Sequence, residues 1–370
     1  MKVMIVGTGT IGKPLIRLFL RMREVLDFEE IIYHKNTPNL KSRGMLEYFH
    51  REGARLAVYA EKMDEFVKLL TPRGFKPDYT FEYALERADL IIDCAEKNVA
   101  MPLKEKYYRR LTNKLGFIAQ GSVNGFGKPY AFGINDGALM PGEDKFLQVV
   151  SCNTHQILSI LKTLAFDPGN TGAFDFQNLV RARFYLARRD SDISQENGKV
   201  GVVVGKPIHN CYGSHQAEDA VRVLETISPQ AALNLDDIHA IADTYNNPFM
   251  HVVNFEIKLM ETMIDEEEVE KRFRANPLTA VTYNMTNNEV FGIGRDLGHF
   301  GRFLNHTIVC LPSLQVIDTG REIVGRCFTP QDGNPLLSSM AAALWFRDPS
   351  TYKQKIKENF FKLPFIFDEV

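Results

Sequence analysis

Apolar residues follow two rhythms along this chain. Over the first 150 positions, short apolar runs alternate with stretches of helical spacing. Val3–Val6 predicts a strand, and Lys13–Val25, with Leu15, Ile16, Phe19 and Leu20 on one face, predicts a helix. Glu30–Tyr33 predicts a second strand, Asp64–Leu70 a helix and Leu90–Cys94 a buried strand. Phe117–Ala119 runs into Gln120-Gly121, and Gln148-Val149-Val150-Ser151 ends at Cys152. Strand and helix in alternation predict a parallel, doubly wound sheet.

Beyond Cys152 the texture changes. Asn153–Phe166 predicts one amphipathic helix, with Ile157, Leu158, Leu161 and Leu164 at helical spacing. The β-rich runs Leu179–Ala187, Val200–Val204, His251–Met260, Thr307–Leu311 and Gln315–Thr319 suit an antiparallel or mixed sheet. Asn334–Phe346 is apolar and helical, and is expected to return to the first domain. No internal repeat is present.

Composition narrows the class. A length of 370 residues suits two domains, and 45% hydrophobic with 24% charged residues excludes disordered and collagen-like chains. Lys and Arg (44) nearly balance Asp and Glu (46), so no basic excess points to nucleic acid. Cysteines 94, 152, 211, 310 and 327 form no C-x-x-C pair, which argues against a zinc or dithiol site. A sparse, odd set of thiols fits a reducing compartment. The opening Met-Lys-Val-Met-Ile-Val-Gly lacks the layout of a signal peptide, and no apolar run approaches the ~20 residues of a spanning helix. The expectation is a cytoplasmic protein with no metal, nucleic-acid or membrane partner.

Gly7-Thr8-Gly9-Thr10-Ile11-Gly12 is a G-x-G-x-x-G turn between a strand and a helix. In that setting the first glycine permits a tight turn, the second admits a pyrophosphate and the third lets helix and strand close. The fold class expected is α/β: a Rossmann dinucleotide-binding domain over 1–151, completed by about 331–370, and an α+β catalytic domain over 152–330 with a mixed or antiparallel sheet. NAD enzymes usually end the second strand with an acid that binds the ribose 2′-hydroxyl. Here the strand runs into His34 and Lys35, while Glu29 and Glu30 stand at its start. Lys35 would attract a 2′-phosphate, or serve only as a solvated loop charge, so the cofactor is NADP or NAD.

Ser151-Cys152-Asn153-Thr154 joins a strand to a helix. A thiol at a helix N-terminus is favoured as thiolate by the dipole and free N–H groups. A lone cysteine is more often a small core residue, but this one opens the second domain, where a nucleophile facing nicotinamide has to stand. His155, three residues on, is expected on the same side of the helix and so to tune the thiol.

These residues resemble the archaeal-type glyceraldehyde-3-phosphate dehydrogenases. The family's G-x-G-T-I-G-K is matched by Gly7 to Lys13, and its K-T-S-P-N loosely by Lys35-Asn36-Thr37-Pro38-Asn39. Q-G-G corresponds to Gln120-Gly121-Ser122, and V-V-S-C-N-T-T to Val149-Val150-Ser151-Cys152-Asn153-Thr154-His155. V-R-R corresponds to Ala187-Arg188-Arg189, S-H-H with a following acid to Ser214-His215-Gln216-Ala217-Glu218, and A-R-D-L to Gly294-Arg295-Asp296-Leu297.

The resemblance implies that Cys152 attacks an aldehyde, that hydride leaves to the nicotinamide, and that inorganic phosphate cleaves the thioester. It implies His215 as the base, with His209 in reserve. Gly7, Gly9, Thr10, Ile11, Gly12, Lys35, Gln120 and Gly121 would then meet the cofactor. Ser151, Asn153, Thr154, Arg188 and Arg189 would meet the phosphorylated aldehyde or phosphate. Adjacent residues of a strand point to opposite faces, so one arginine of the pair should reach the site. A homotetramer is also implied. Gln216, Ser122, His155 and Ala95-Glu96-Lys97 depart from the family pattern. They leave open a related Cys-dependent aldehyde or semialdehyde dehydrogenase, or a catalytically inactive nucleotide-binding homologue.

Overall fold

A computed structural model describes residues 1–190, 203–205, 208, 210–228, 237–262, 265–330, 332–361 and 365–370. Its contacts divide the chain into two units. One comprises Met1–Lys128, Met140–Val149 and Ser339–Lys355; the other comprises Pro129–Leu139, Val150–Ser338 and Ile356–Val370. The division departs from the expected domain bounds for local reasons. Pro129–Leu139 joins the second unit, where Asn135 Nδ2 donates to Thr226 Oγ1 (2.9 Å) and Val150 N–H to the Tyr130 carbonyl. The last residues also stay there: Leu304 N–H donates to the Phe365 carbonyl and Val370 N–H to that of Val281.

The first sheet comprises β1 (Lys2–Val6), β2 (Glu30–His34), β3 (Arg55–Val58), β4 (Tyr79–Thr80), β5 (Leu90–Asp93), β6 (Gly116–Gln120), β7 (Lys128–Tyr130) and β8 (Phe146–Val149), all of it in the first unit except Pro129 and Tyr130 of β7. The strand order is β4-β3-β2-β1-β5-β6-β8-β7. Strands β1 to β6 and β8 run parallel. Val3 of β1 pairs with Ile31 on one side and Leu90 on the other. The order therefore reverses beside β1, which is the switch point where α/β sheets bind ligands.

Helix α1 (Gly12–Arg21) buries Leu15, Ile16, Leu18 and Phe19. It stops short of the expected Val25, because the chain turns through Asp27 at φ +53° to enter β2. Helices α2 (Arg43–Arg51), α3 (Met63–Leu70), α4 (Phe81–Arg87) and α5 (Lys97–Lys106) complete the crossovers.

The second unit has β9 (Leu179–Arg189), β10 (Val203–Val204), β11 (Ile238–Tyr245), β12 (His251–Leu259), β13 (Thr279–Thr282), β14 (Thr307–Ile317) and β15 (Glu322–Thr329), in the order β10-β11-β9-β12-β15-β14-β13. β11–β9 and β13–β14 are parallel and the other pairs antiparallel, so the sheet is mixed. Of the expected strand Val200–Val204, residues 200–202 lie outside the described residues. The runs expected at Thr307–Leu311 and Gln315–Thr319 form the single strand β14, whose register shifts between Cys310 and Gln315. Pro312 lies inside that shift and has no N–H to give a ladder.

Helix α6 (Cys152–Leu161) is not amphipathic as expected: Asn153 to Leu161 are all buried. Ile157, Leu158 and Leu161 join Phe184, Leu186, Val253 and Phe255 in the core, each worth ~1.5–3 kcal/mol of apolar burial. Its polar residues must therefore find partners inside. The helix gives way to a π turn at Lys162–Phe166, where the buried Lys162 ammonium meets Asp167 at 3.3 Å. Helices α7 (His215–Ile227), α8 (Glu266–Ala275), α9 (Asn287–Leu297), α10 (Asn334–Arg347) and α11 (Tyr352–Asn359) follow. No helix of the described residues is long and apolar enough to cross a membrane.

Candidate active site

The glycine turn of the first unit has the geometry a pyrophosphate needs. Gly7 sits at φ +96°, open to glycine and strained for other residues. A Cβ on Gly12 would lie 2.0 Å from the Gly7 carbonyl oxygen, so the turn closes only on glycine. A Cβ on Gly9 would meet nothing within 4 Å, leaving room beside the backbone for a ligand. Thr10 and Ile11 lead into α1, and Ile11 at the N-cap offers no side-chain acceptor to the first turn. An anion would serve that role, so these residues fit a dinucleotide.

The end of β2 is cationic. Half-buried Lys35 has its pKa pushed down, first by burial and then by Lys13. Lys62 Nζ donates to the Asn36 carbonyl and to Asn36 Oδ1 (2.6 Å). His34 is buried and pushed down to about 3 by burial, then by Lys62 and Lys35, so it stays neutral. The strand itself ends at His34 and runs into Lys35 rather than an acid. Glu30 is committed at the start of the strand, to the Tyr79 hydroxyl (2.7 Å) and Arg87 Nε (2.6 Å). Gln120 ends β6, where Oε1 accepts from the Ser339 hydroxyl, while its buried Nε2 has no partner among the described residues. Gly121 follows at φ +74°.

In the second unit, Ser151 caps α6: its Oγ accepts from Thr154 N–H and lies 2.8 Å from Thr154 Oγ1. Cys152 is the first residue of the helix. The expected thiolate does not follow from that position. Burial pushes the thiol up to about 12, Asp332 adds to the shift, and Arg189, Arg188 and the Asn153 N–H only partly oppose it. Asn153 and Thr154 point inward. Asn153 Oδ1 accepts from the Thr329 hydroxyl, and Thr154 Oγ1 donates to the Gln216 carbonyl at 3.5 Å.

His155 departs from its expected role. Its fully buried ring has Nδ1 at 3.0 Å from the Ser151 carbonyl and Nε2 at 2.7 Å from Ser338 Oγ. Burial pushes it down to about 4. A neutral ring turned away from the thiol cannot supply an imidazolium to it.

The Thr154–Gln216 bond brings the first turn of α7 against that of α6. His215 opens α7 and is exposed. Its position is fixed by a one-residue bridge to β11: Ala240 N–H donates to the Tyr212 carbonyl, and Ser214 N–H to that of Ala240. Gly213, between them at φ +77°, has no room for a Cβ, which would lie 2.2 Å from the Ala240 oxygen. Ser214 occupies the N-cap but its side chain caps nothing, and its buried Oγ has no partner among the described residues. A cleft of about 260 Å³ opens here, lined among others by Arg188, Ser214, His215 and Gln216. His209 lies outside the described residues.

The two arginines have different surroundings. Arg188 follows Phe184 and Leu186 on the helix-covered face of β9 and reaches the cleft, where its buried Nη1 has no partner among the described residues. Arg189 is tied up. Its backbone N–H donates to His251 Nδ1 (2.8 Å) and its Nη2 meets Asp332 Oδ2 at 2.5 Å. Burial, then Arg189 and Arg188, push His251 well below its usual pKa. His215 and Arg188 line one cleft, Cys152 belongs to the same unit, and Arg189 and then Arg188 act on its thiol through their charge. Sequence reasoning placed Ser214 in its motif without a role and did not single out His251, Asp332 or Asn334; Gly213 and Gly333 were the available signals. Among the described residues no group of three or more His, Cys, Asp or Glu could hold a metal ion.

No family model matches the chain. It is 27% identical to a glyceraldehyde-3-phosphate dehydrogenase of Pyrobaculum islandicum, over 73% of this chain and 69% of that protein. The Methanocaldococcus jannaschii protein of the same name is 26% identical over 86% of this chain and 85% of its own. With that of Pyrobaculum calidifontis the match, also 26%, spans 61% of this chain and only 59% of the relative. Similarity over most of its length, on a Rossmann-like parallel sheet joined to a mixed one, makes the chain a divergent relative of the archaeal-type glyceraldehyde-3-phosphate dehydrogenases.

Proposed function

We propose that the chain is an NAD(P)-dependent, phosphorylating glyceraldehyde-3-phosphate dehydrogenase that forms 1,3-bisphosphoglycerate. The observation that carries this reading is the meeting of two helix N-termini in the second unit. Cys152 opens α6, His215 opens α7, and Arg188, whose buried Nη1 has no partner among the described residues, lines the cleft beside His215.

Cys152 Sγ bonds to the aldehyde carbon, giving a thiohemiacetal. His215 takes the hydroxyl proton as the carbon is oxidised to a thioester. Gly7, Gly9 and Gly12, with Thr10, Ile11, Gln120 and Gly121, would hold a nicotinamide dinucleotide, which would supply the hydride acceptor. Arg188, the uncapped first turn of α7 and Ser214 Oγ hold a phosphate group, whose oxygens suit a guanidinium fork and a helix N-terminus. Ser151, Asn153 and Thr154 hold the nucleophile's helix. Phosphate oxygen then attacks the thioester carbon, and Cys152 leaves as thiolate.

NADP is used at least as well as NAD, supported by Lys13, Lys35 and Lys62 around the end of β2, which runs into Lys35 rather than an acid. A cytoplasmic homo-oligomer accords with the free cysteines and with the exposed, paired Tyr185 and Ile241 on one sheet face.

The test is oxidation of glyceraldehyde 3-phosphate with phosphate omitted and then titrated back. A phosphate-dependent rate and an acid-labile product are expected. A rate independent of phosphate, with a stable carboxylate, would overturn the phosphorylating assignment.

A further inference from the structure

The segment after β15 touches the main chain of the candidate nucleophile and pairs with an arginine whose charge bears on it. Asp332, at φ +50°, pairs with Arg189; the side chains of that pair are 12% and 6% exposed. Gly333 has no space for a side chain, since a Cβ would lie 1.5 Å from the Phe303 carbonyl oxygen. Asn334 Nδ2 donates to the backbone carbonyls of Cys152 (3.0 Å) and His306 (3.1 Å). Asp332-Gly333-Asn334 therefore fixes the arginine at one end and the main chain of Cys152 at the other.

We propose that Asp332 is a positioning residue of this site: an internal carboxylate that occupies Arg189 in place of an anionic ligand, leaving Arg188 as the guanidinium open to anions. A carboxylate and a phosphate compete for the same planar fork. Two arginines in sequence, both bearing on Cys152, would otherwise draw any anion to the thiol. With Asp332 in place the net charge beside Cys152 falls from two to one. The charged groups that bear on the thiol are Asp332 from the segment after β15 and Arg188 and Arg189 from β9. His251 of β12 is neutral through burial, and His155 of α6 itself faces Ser338. The inference rests on Cys152 as the reactive thiol, but not on the aldehyde or the phosphate chemistry.

Alkylation of the full chain tests it without coenzyme or aldehyde. Iodoacetate is an anion and iodoacetamide is neutral, so the ratio of their rates at Cys152 at one pH reports the local charge. Asp332→Asn should raise the ratio about tenfold, the effect of roughly one unit of interaction with an unmasked cation. Asp332→Glu should keep the wild-type ratio. The rise should vanish in Asp332→Asn/Arg189→Ala, because the carboxylate acts through the arginine. An unchanged ratio in Asp332→Asn, or the same rise in the double variant, overturns the proposal. If Asp332→Asn does not fold, the double variant and Arg188→Ala decide: removing the neutral Asp332–Arg189 pair should change the wild-type ratio by less than about twofold, whereas Arg188→Ala should lower it about tenfold. A larger change on removing the pair overturns the masking. A protein that turned over no aldehyde, yet showed these ratios, would refute the dehydrogenase reading and leave this one standing.

Discussion

Helices α1 and α6 each begin where a strand of the parallel sheet gives out, β1 before one and β8 before the other, yet their N-termini are built from different materials. At α1 the working surface is main chain: Gly7, Gly9 and Gly12 strip away side chains so that a ligand can approach. At α6 it is side chain, with Ser151, Cys152, Asn153 and Thr154 each engaged or flanked by groups from distant elements. The first arrangement is local and half-buried around an exposed Gly9; the second is non-local, with half-buried Ser151 and Cys152 leading into the buried Asn153 and Thr154. That difference reverses the electrostatics. A helix N-terminus favours an anion by ~0.3–1 kcal/mol when exposed, but at Cys152 the desolvation of a thiolate outweighs it.

The comparison breaks most sharply at the nucleophile. Cys152→Ser should reduce aldehyde oxidation at least about a thousandfold, with coenzyme binding near normal; substantial residual turnover would remove the proposed chemistry from α6. At α1, Gly12→Ala should abolish coenzyme binding and cost about 1–3 kcal/mol of stability by forcing Gly7 away. Gly9→Ala should leave the melting temperature nearly unchanged and weaken coenzyme binding about tenfold, read by fluorescence titration. Equal effects of the two alanines would deny the cradle its geometry. In the cleft, Arg188→Ala should raise the KM for phosphate about tenfold. Lys35→Glu should lower kcat/KM for NADP about tenfold and for NAD much less.

The smallest effect is in pH. Burial holds His155 down at about 4, and His251 and His306 well below 6.5. Between about pH 4 and 6.5 the unfolded chain therefore binds more protons than the native one. Stability is complete above about pH 6.5 and falls as the pH drops through that window. His155→Thr should flatten part of the slope, seen by chemical denaturation at several pH values. It should leave the pH profile of Cys152 alkylation in place, because no charge is lost.

What was legible in the sequence follows from the same contrast. The glycine turn, the Lys35 end of β2 and the strand–helix alternation are set by neighbours in sequence, and periodicity reveals them. Strand β11 escaped notice because its alanines, Ala240 and Ala242, give little hydrophobic signal although Ala240 is fully buried. The amphipathic reading of α6 failed because His155, Gln156 and Ser159 look solvent-facing in sequence, while Ser338 and Thr307 receive the first two inside. Asp332 carries no local signature; its meaning comes from an arginine 143 positions earlier. That Arg188 and Arg189 point to opposite faces of β9 needs only the strand to be legible.

The Rossmann-like unit closes with residues synthesised near the end of the chain. Phe346 packs against Gly116, where any Cβ would fall 2.1 Å from its ring, and Arg347 donates to the Leu26 carbonyl, 321 positions earlier. At a ribosome adding roughly 5–20 residues per second, Leu26 waits on the order of 15–60 s for that partner. During translation Phe117 of β6 can meet Tyr108 and Phe146 early, but the Gly116 position waits for Phe346. This half of the protein is begun first, yet it cannot close until Arg347 has been made.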